Sequence, residues 1–106
     1  MIAAGELVHR VEVQRLTETP DAYGAPRHTW RTVATVWASI EDGQGRELFR
    51  AQQVKSEITA VVKIRWFEGL TAKDRFKWGP RTLNIDGVSE GKRRRVEMVC
   101  QCVEER

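Results

Sequence analysis

A period-two alternation of apolar and polar residues dominates this chain and restricts most of it to strands with one buried face. The clearest case lies between Ser56 and Trp66, where the apolar positions are Ile58, Ala60, Val62, Ile64 and Trp66. Successive side chains of a β-strand point to opposite sides, so this pattern predicts one face in the core and one in water. Similar alternation occurs in Leu7–Leu16, Arg75–Trp78, Thr82–Asp86 and Val96–Cys102.

The segment Thr29–Glu41 departs from this simple pattern because it is apolar on both faces. One face carries Trp30, Ala34, Val36, Ala38 and Ile40, and the other carries Val33 and Trp37. A strand of this kind is either central in its sheet or covered by another element or subunit.

The remaining elements complete a small all-antiparallel design. A turn at Asp42–Gly45 precedes Arg46–Val54, which has the spacing of a two-turn helix that must pack on the sheet or on a neighbour. We therefore predict a single mainly-β domain over residues 1–106, with about six strands and one short inserted helix. Closure into a small barrel or sandwich removes exposed strand edges.

The connection between the first two strands is unusually long. Twelve residues, Thr17–His28, stand where a hairpin loop of about 2–5 residues is usual. They include Pro20, Gly24 and Pro26, so we predict a long flexible loop. Tyr23 has little reason to stand in a solvated loop unless a partner covers it, and the loop is therefore predicted to contact one.

Composition excludes several classes of protein. No apolar run approaches the ~18 residues of a membrane-spanning helix, and no basic stretch followed by a long apolar segment opens the chain. We expect no signal peptide, no membrane association and a chain that stays in the cytoplasm where it is made. The net charge of +3 comes partly from Lys92, Arg93, Arg94 and Arg95, which suit either DNA phosphate or an acidic protein surface, or a solvated turn.

No pattern in the sequence indicates catalysis, a cofactor or a metal ion. The chain has no phosphate-binding glycine loop, no nucleophile elbow and no motif that pairs histidine with carboxylates. Cys100 and Cys102 lack nearby metal ligands and are predicted to be small buried thiols. We therefore expect a protein that is not an enzyme and binds no cofactor.

Nucleic-acid binding is an alternative reading. Small β-barrels bind single strands by stacking bases on aromatic residues in a basic groove, and four tryptophans are many for this length. However, Trp66 and Trp78 fall on the apolar phase of their strands, where a core position is the default, and acidic residues are spread evenly along the chain.

A series of short motifs runs through the whole chain at characteristic spacing. They are Gly5–Val11, Asp21–Gly24, Thr29–Trp30, Val36–Ile40, Gly45–Leu48, Ile64–Trp66, Asp74–Phe76, Leu83–Val88 and a closing apolar strand that reaches Cys100. In this order they resemble the head-closure proteins of tailed bacteriophages, also called stopper or head–tail joining proteins.

The resemblance implies a structural protein of the virion, made in the host bacterial cytoplasm and located at the head–tail interface. The family's fold is a small β-barrel with a short inserted helix. The expected partners are further copies of the chain in a sixfold or twelvefold ring, the portal and adaptor proteins, the tail or a tail-completion protein, and packaged double-stranded DNA contacted without sequence specificity. Another connector component, such as an adaptor or tail-completion protein, is an alternative within this reading.

The resemblance also gives roles to particular residues. Those expected at the partner or ring interface are Asp21, Tyr23, Arg27, Trp30 and Trp37. Those expected in an insertion beside the ring channel are Gly43, Gln44, Gly45, Arg46, Glu47, Phe49 and Arg50. Gly43 and Gly45 would let this insertion change conformation when DNA leaves the head.

Overall fold

The computed structural model of the chain describes residues 7–90 and 96–105. Within these residues the elements are β1 (His9–Pro20), β2 (Pro26–Asp42), α1 (Arg46–Val54), β3 (Ala60–Arg65), β4 (Arg75–Trp78), β5 (Arg81–Glu90) and β6 (Glu97–Glu104). The strands form a closed antiparallel barrel in the order β1-β2-β3-β6-β5-β4, and β4 pairs back onto β1. The predicted mainly-β barrel with one short inserted helix is confirmed, and the helix has the predicted bounds.

The alternating strand residues meet in a single core inside the barrel. Its largest fully buried side chain is that of Phe76, which comes from the short strand β4. Apolar burial of this kind is the main force that closes the barrel. The buried residues of this core are Val11, Val13, Ala38, Ala60, Val62, Ile64, Leu70, Phe76, Leu83, Ile85, Met98, Cys100 and Cys102.

The predicted flexible loop at Thr17–His28 is wrong, because β1 and β2 continue through it as a two-stranded ribbon. The ladder ends where Pro20 pairs with Pro26, and only residues 21–25 form the turn. Proline lacks a backbone donor, but at a strand end no further ladder hydrogen bond is needed. The prolines therefore mark the end of the ribbon and do not interrupt it.

The ribbon extends beyond the body of the barrel as an arm (residues 15–31). Over this range β1 and β2 pair with each other, whereas β4 joins β1 only at residues 12–14 and β3 joins β2 only at 38–42. Thr17 helps to hold the two strands together, because its hydroxyl bonds across to the carbonyl and the hydroxyl of Thr29 at 3.1 and 2.9 Å. The arm gives the molecule its long dimension of 49 Å, against 27 and 25 Å in the other two directions.

A β-bulge changes the face on which Trp30 lies. Val13 and Gln14 are consecutive on β1 and pair with Ala34 and Thr32 of β2, so Val33 is an extra residue on β2. An extra residue reverses the alternation beyond it, and the ring of Trp30 lies on the outer surface against Arg75. The prediction that Trp30 shares a face with Ala34 is therefore wrong.

Helix α1 packs on the outside of the barrel. Leu48 of the helix forms a small second core with Ile58 and Val61, and Gln52 Nε2 donates to the carbonyl of Ile58 at 2.9 Å. A helix of nine residues is marginal on its own, so this packing is what maintains it. Val61 on the outer face of β3 is buried as a result.

The two cysteines are free thiols buried in the core, as predicted. Burial raises the pKa of the Cys100 thiol to about 12 and also raises that of Cys102. Because the thiolate is the reactive form, we expect the folded protein to react very slowly with a chromogenic disulfide reagent at mildly alkaline pH. Both thiols should react at once after unfolding in urea. Fast reaction of two thiols in the folded protein, followed by absorbance, would show that this part of the core is open.

Candidate partner interfaces

The tip of the arm presents an aromatic side chain on a hydrogen-bonded turn. Asp21 Oδ1 accepts the backbone N–H groups of Tyr23 and Ala25 at 2.8 and 2.9 Å, and the Asp21 N–H donates to the carbonyl of Ala25 at 2.8 Å. This arrangement fixes the backbone without using the tyrosine ring, which is 96% exposed. The tip therefore holds a large apolar group in a defined position in solvent.

The root of the arm is joined to the barrel by an ion pair. Arg15 Nε and Nη2 donate to the two carboxylate oxygens of Asp74 at 3.2 and 3.3 Å, and Nη2 also donates to the carbonyl of Gly69 at 3.2 Å. The buried Asp74 carboxylate also accepts the Thr71 N–H at 3.1 Å. The hydrogen bond between Asp74 and Arg15 raises the pKa of Arg15. These contacts set the direction in which the arm leaves the barrel.

Arginine side chains cover one face of three tryptophan rings: Trp30 and Trp37 are exposed, and Trp78 is half-buried against the core, as the apolar phase of its strand predicts. Such pairs within about 6 Å are favourable cation–π contacts. The pairs, with the distance from guanidinium carbon to ring centroid, are Arg75 over Trp30 (4.0 Å), Arg81 over Trp78 (4.6 Å) and Arg10 over Trp37 (5.2 Å). A guanidinium already lies on one face of each of these three rings, so a base could not stack on that face, which disfavours a single-strand binding groove built from them.

An open apolar groove of about 450 Å³ lies where β2 passes the end of β3. Trp37 is 50% exposed there, and Trp66, directly after β3, is also exposed. Because β3 ends at Arg65, the core position that alternation assigns to Trp66 is wrong. The lining residues are Leu7, Val36, Trp37, Arg65, Trp66 and Phe67.

The insertion between β2 and β3 is organised by a carboxylate at the start of α1. Glu41 Oε2 accepts the N–H groups of Glu47 and Leu48, both at 3.1 Å, which satisfies two donors at the helix N-terminus. The Glu47 side chain pairs with Lys63 at 3.0 Å. The predicted insertion residue Glu47 therefore ties the helix to the barrel.

The outer side of the insertion is basic and aromatic. Phe49 is 65% exposed, and Arg46 and Arg50, which lie one helical turn apart on the same side of it, are also exposed. The exposed phenylalanine beside this pair of arginines has no role in the packing described above. This side is therefore available to a partner.

Gly45 is the glycine most sensitive to substitution in the insertion. Its φ is +133°, and a Cβ there would lie 2.5 Å from the Glu41 oxygen that caps the helix. We expect Gly45→Ala to lower the free energy of unfolding by about 1–3 kcal/mol, because backbone strain adds to displacement of the cap. Gly43→Ala is the matched control: its φ is +78°, but nothing lies within 4 Å of the added Cβ. Equal effects of the two substitutions in urea denaturation would contradict the role given to Glu41.

Arg81 connects three strand ends at the base of the barrel. Its Nη1 lies 2.8 Å from Asp42 Oδ2, its Nε donates to Glu104 Oε2 at 3.1 Å, and its Nη2 bonds the other Glu104 oxygen. Through these bonds the guanidinium holds the pKa of Glu104 below its usual range. The ends of β2, β5 and β6 are thereby held together.

This cluster predicts a dependence of stability on pH. A carboxylate with a lowered folded-state pKa stabilises the protein above its unfolded value of about 4.3, and the contribution is lost as pH falls through the folded value. We expect wild type to be more stable than Glu104→Gln at neutral pH and the difference to shrink below pH ~4. Because the pair is partly exposed, added salt should reduce the difference. A difference that stays constant across this range in denaturation experiments would rule out the ion pair as its source.

The residues predicted to form one partner interface lie at three separate places. Asp21 and Tyr23 are at the arm tip with Arg27 beside them, Trp30 is on the outer surface of the arm, and Trp37 is in the groove. The insertion follows the opposite end of β2 from the tip. The sequence analysis did not predict the rest of the groove. Trp66 and Phe67, two adjacent aromatic residues directly after Arg65, were the sequence feature that could have indicated it.

Two further findings bear on the class of site. Among residues 7–90 and 96–105, no group of three histidine, cysteine or acidic side chains is placed to hold a metal ion. In the same part of the chain, no helix is long and apolar enough to cross a membrane. The predicted basic contact Lys92, Arg93, Arg94 and Arg95 lies outside the described residues.

Comparison with known proteins places the chain in a family. Among solved structures it is similar to protein SF1141 from Shigella flexneri 2a, with 28% identity and a TM-score of 0.74 over 97% of this chain and 96% of that chain. It shares its fold with a chain in the virion of a native gene transfer agent particle, at 18% identity and a TM-score of 0.62 over 93% and 94% of the two chains. No curated protein matches it. Residues 2–105 match the family described as phage head completion protein, so the chain belongs to the phage head completion proteins, which are structural components of the virion.

Proposed function

We propose that this chain forms a ring below the portal and adaptor of a phage head, where it retains packaged DNA and gives the tail a docking surface. The observation that carries the proposal is the arm, which ends in an almost fully exposed tyrosine on a hydrogen-bonded turn. A two-stranded ribbon that projects from the barrel and presents an aromatic ring at its tip has the form of an element that reaches a neighbouring subunit. Membership of the head completion family supports a position at the junction of head and tail.

Three separate exposed surfaces fit a subunit with several neighbours. The arm tip carries Tyr23, the groove carries Trp37, and the insertion carries Phe49. A ring subunit in a stacked connector contacts the next copy on each side and the components above and below. The distribution of these surfaces supports a position between other proteins more than a single binary contact.

The insertion is the part proposed to lie beside the DNA channel. Arg46 and Arg50 lie one helical turn apart and present positive charge beside Phe49. Arginines that contact phosphate hold DNA without reading its sequence. An insertion with this charge, joined to the barrel by Glu47 and Lys63, suits contact with a passing double strand.

An amber mutation in the gene tests the proposal. Particles grown without suppression should be heads that have lost their DNA and lack tails in negative-stain microscopy, and a plasmid copy of the gene should restore tailed, full particles. Heads that keep their DNA but lack tails would contradict the retention role. Intact tailed particles would contradict the proposal as a whole.

A further inference from the structure

We infer that Tyr23 at the arm tip of one copy inserts into the Trp37–Trp66 groove of the next copy, so that arm-in-groove contacts close the ring. This inference rests on the proposed ring and identifies the surfaces through which its copies meet. It joins two features that the fold leaves without internal use: a side chain that is 96% exposed and an apolar groove of about 450 Å³.

The groove has the chemistry that a tyrosine requires. Trp37, Trp66 and Phe67 offer aromatic surface, and Arg65 adds a guanidinium that can donate to a phenolic oxygen. A buried tyrosine removes roughly 150–250 Å² of its surface from water and places its hydroxyl on a polar partner. Apolar walls with one donor at the rim match both parts of this side chain.

One charge at the arm tip can pair with opposite charges at the groove. Within Pro20–Pro26 the sequence has one charged residue, Asp21, which lies two positions from Tyr23. The groove contributes Arg65, and Arg10 lies over the ring of Trp37. Arg27 directly follows the Pro20–Pro26 segment, so the tip carries one charge of each sign, and pairing of Asp21 with these guanidinium groups favours one orientation of the contact.

The tip cannot occupy the groove of its own chain. Trp37 pairs with Arg10, and Asp21 at the tip lies eleven positions further along the hydrogen-bonded β1 ribbon. At ~3.3 Å per residue this distance is about 36 Å. A paired ribbon does not fold back over such a length, so a second copy has to supply the tyrosine.

The separation of the two surfaces also selects the symmetry of the assembly. Tip and groove are different patches at distant places, so the contact between copies is head-to-tail. Head-to-tail contacts repeat from copy to copy and generate a ring when the rotation closes. The same contact thus accounts for a closed ring of copies.

A photo-crosslinking experiment in assembled particles tests this contact. An amber codon at Tyr23, suppressed with benzoylphenylalanine, keeps an aromatic ring at the tip, and ultraviolet light links it to whatever it touches. We expect covalent multimers of this chain in which the tryptic peptide Leu16–Arg27 is joined to Trp66–Lys73. The same replacement at Glu57, an exposed turn residue away from the tip and the groove, is the matched control and should give no such peptide.

The reciprocal replacement at Trp66 tests the same contact from the groove and covers the case in which the position-23 variant does not assemble. Linkage of either position to a different virion protein, or no linkage in particles that contain the full-length chain, would overturn the inference. The unsuppressed phage makes no full-length chain and tests the ring function separately. If the unsuppressed phage loses its DNA but no arm–groove linkage forms in the suppressed phage, the contact between Tyr23 and the groove is rejected and the proposed ring function is not.

Discussion

Replacing Phe76 with alanine should lower the free energy of unfolding by about 3–5 kcal/mol, because it removes the largest fully buried side chain of the core. Phe76 lies on β4, opposite Val13 of β1 and Leu83 of β5. β4 has four residues, and it is the strand that closes the barrel between β1 and β5. The cavity would therefore form at the point of closure. Urea denaturation followed by circular dichroism measures the change.

Phe49→Ala is the matched control for this substitution, because it removes the same side chain from an exposed helix position. Its effect on the free energy of unfolding should stay within about 0.5 kcal/mol. In the phage, by contrast, Phe49→Ala should reduce the yield of full particles if the insertion contacts DNA or a partner. Equal destabilisation by the two substitutions would contradict the arrangement in which Phe76 fills the core and Phe49 does not.

Replacing Asp74 with alanine should have the second largest effect, a loss of about 2–3 kcal/mol. The buried carboxylate accepts hydrogen bonds from Arg15 and from the Thr71 N–H, so its removal leaves these donors without their acceptor. The guanidinium is partly exposed and can turn to water, which keeps the loss below that of a fully buried pair. Chemical denaturation gives the magnitude.

Asp86→Ala is the control for Asp74→Ala. Asp86 pairs with Lys55 at 2.6 Å on the surface, where solvent screening leaves such a pair little effect on stability. A change at Asp86 as large as that at Asp74 would show that the arm root is no more important than an ordinary surface pair. Asp74→Ala should also lower the yield of assembled particles, because the direction of the arm is set at this point.

Much of the barrel was predictable because its strands bury one face. The alternation between Ser56 and Trp66 predicted β3, and the spacing of Arg46–Val54 predicted the helix with the bounds observed. Gly79 also behaves as the turn chemistry predicts: its φ is +58°, and Pro80 follows it between β4 and β5. Alternation, helical spacing and turn residues were sufficient to predict those elements whose structure depends on their own residues alone.

The errors arose where distant residues decide the local structure. Pro20 and Pro26 indicated a loop, but they form the last pair of the ladder between β1 and β2. That pairing cannot be predicted from the sequence of either strand alone. The bulge at Val33 depends on the pairing of β1 with β2, so the outward position of Trp30 could not be read from alternation. Both errors concern pairing between strands.

The candidate interfaces were predictable only in part for the same reason. Tyr23 is a predicted contact residue because an aromatic group in a turn-rich segment has no packing role, and the structure leaves its ring exposed. The groove needs Trp37 and Trp66 to meet across two strands, and the root of the arm needs Arg15 and Asp74 to meet across 59 positions. Contacts of this range follow from the fold and not from any local pattern.

Electron cryomicroscopy of the head–tail junction, reconstructed without imposed symmetry, would locate this chain in the particle. We expect a ring of these barrels around the DNA channel between portal and tail, with each arm on the neighbouring copy and each insertion toward the axis. Density for this chain elsewhere in the particle, or its absence from particles that hold their DNA and carry tails, would contradict it.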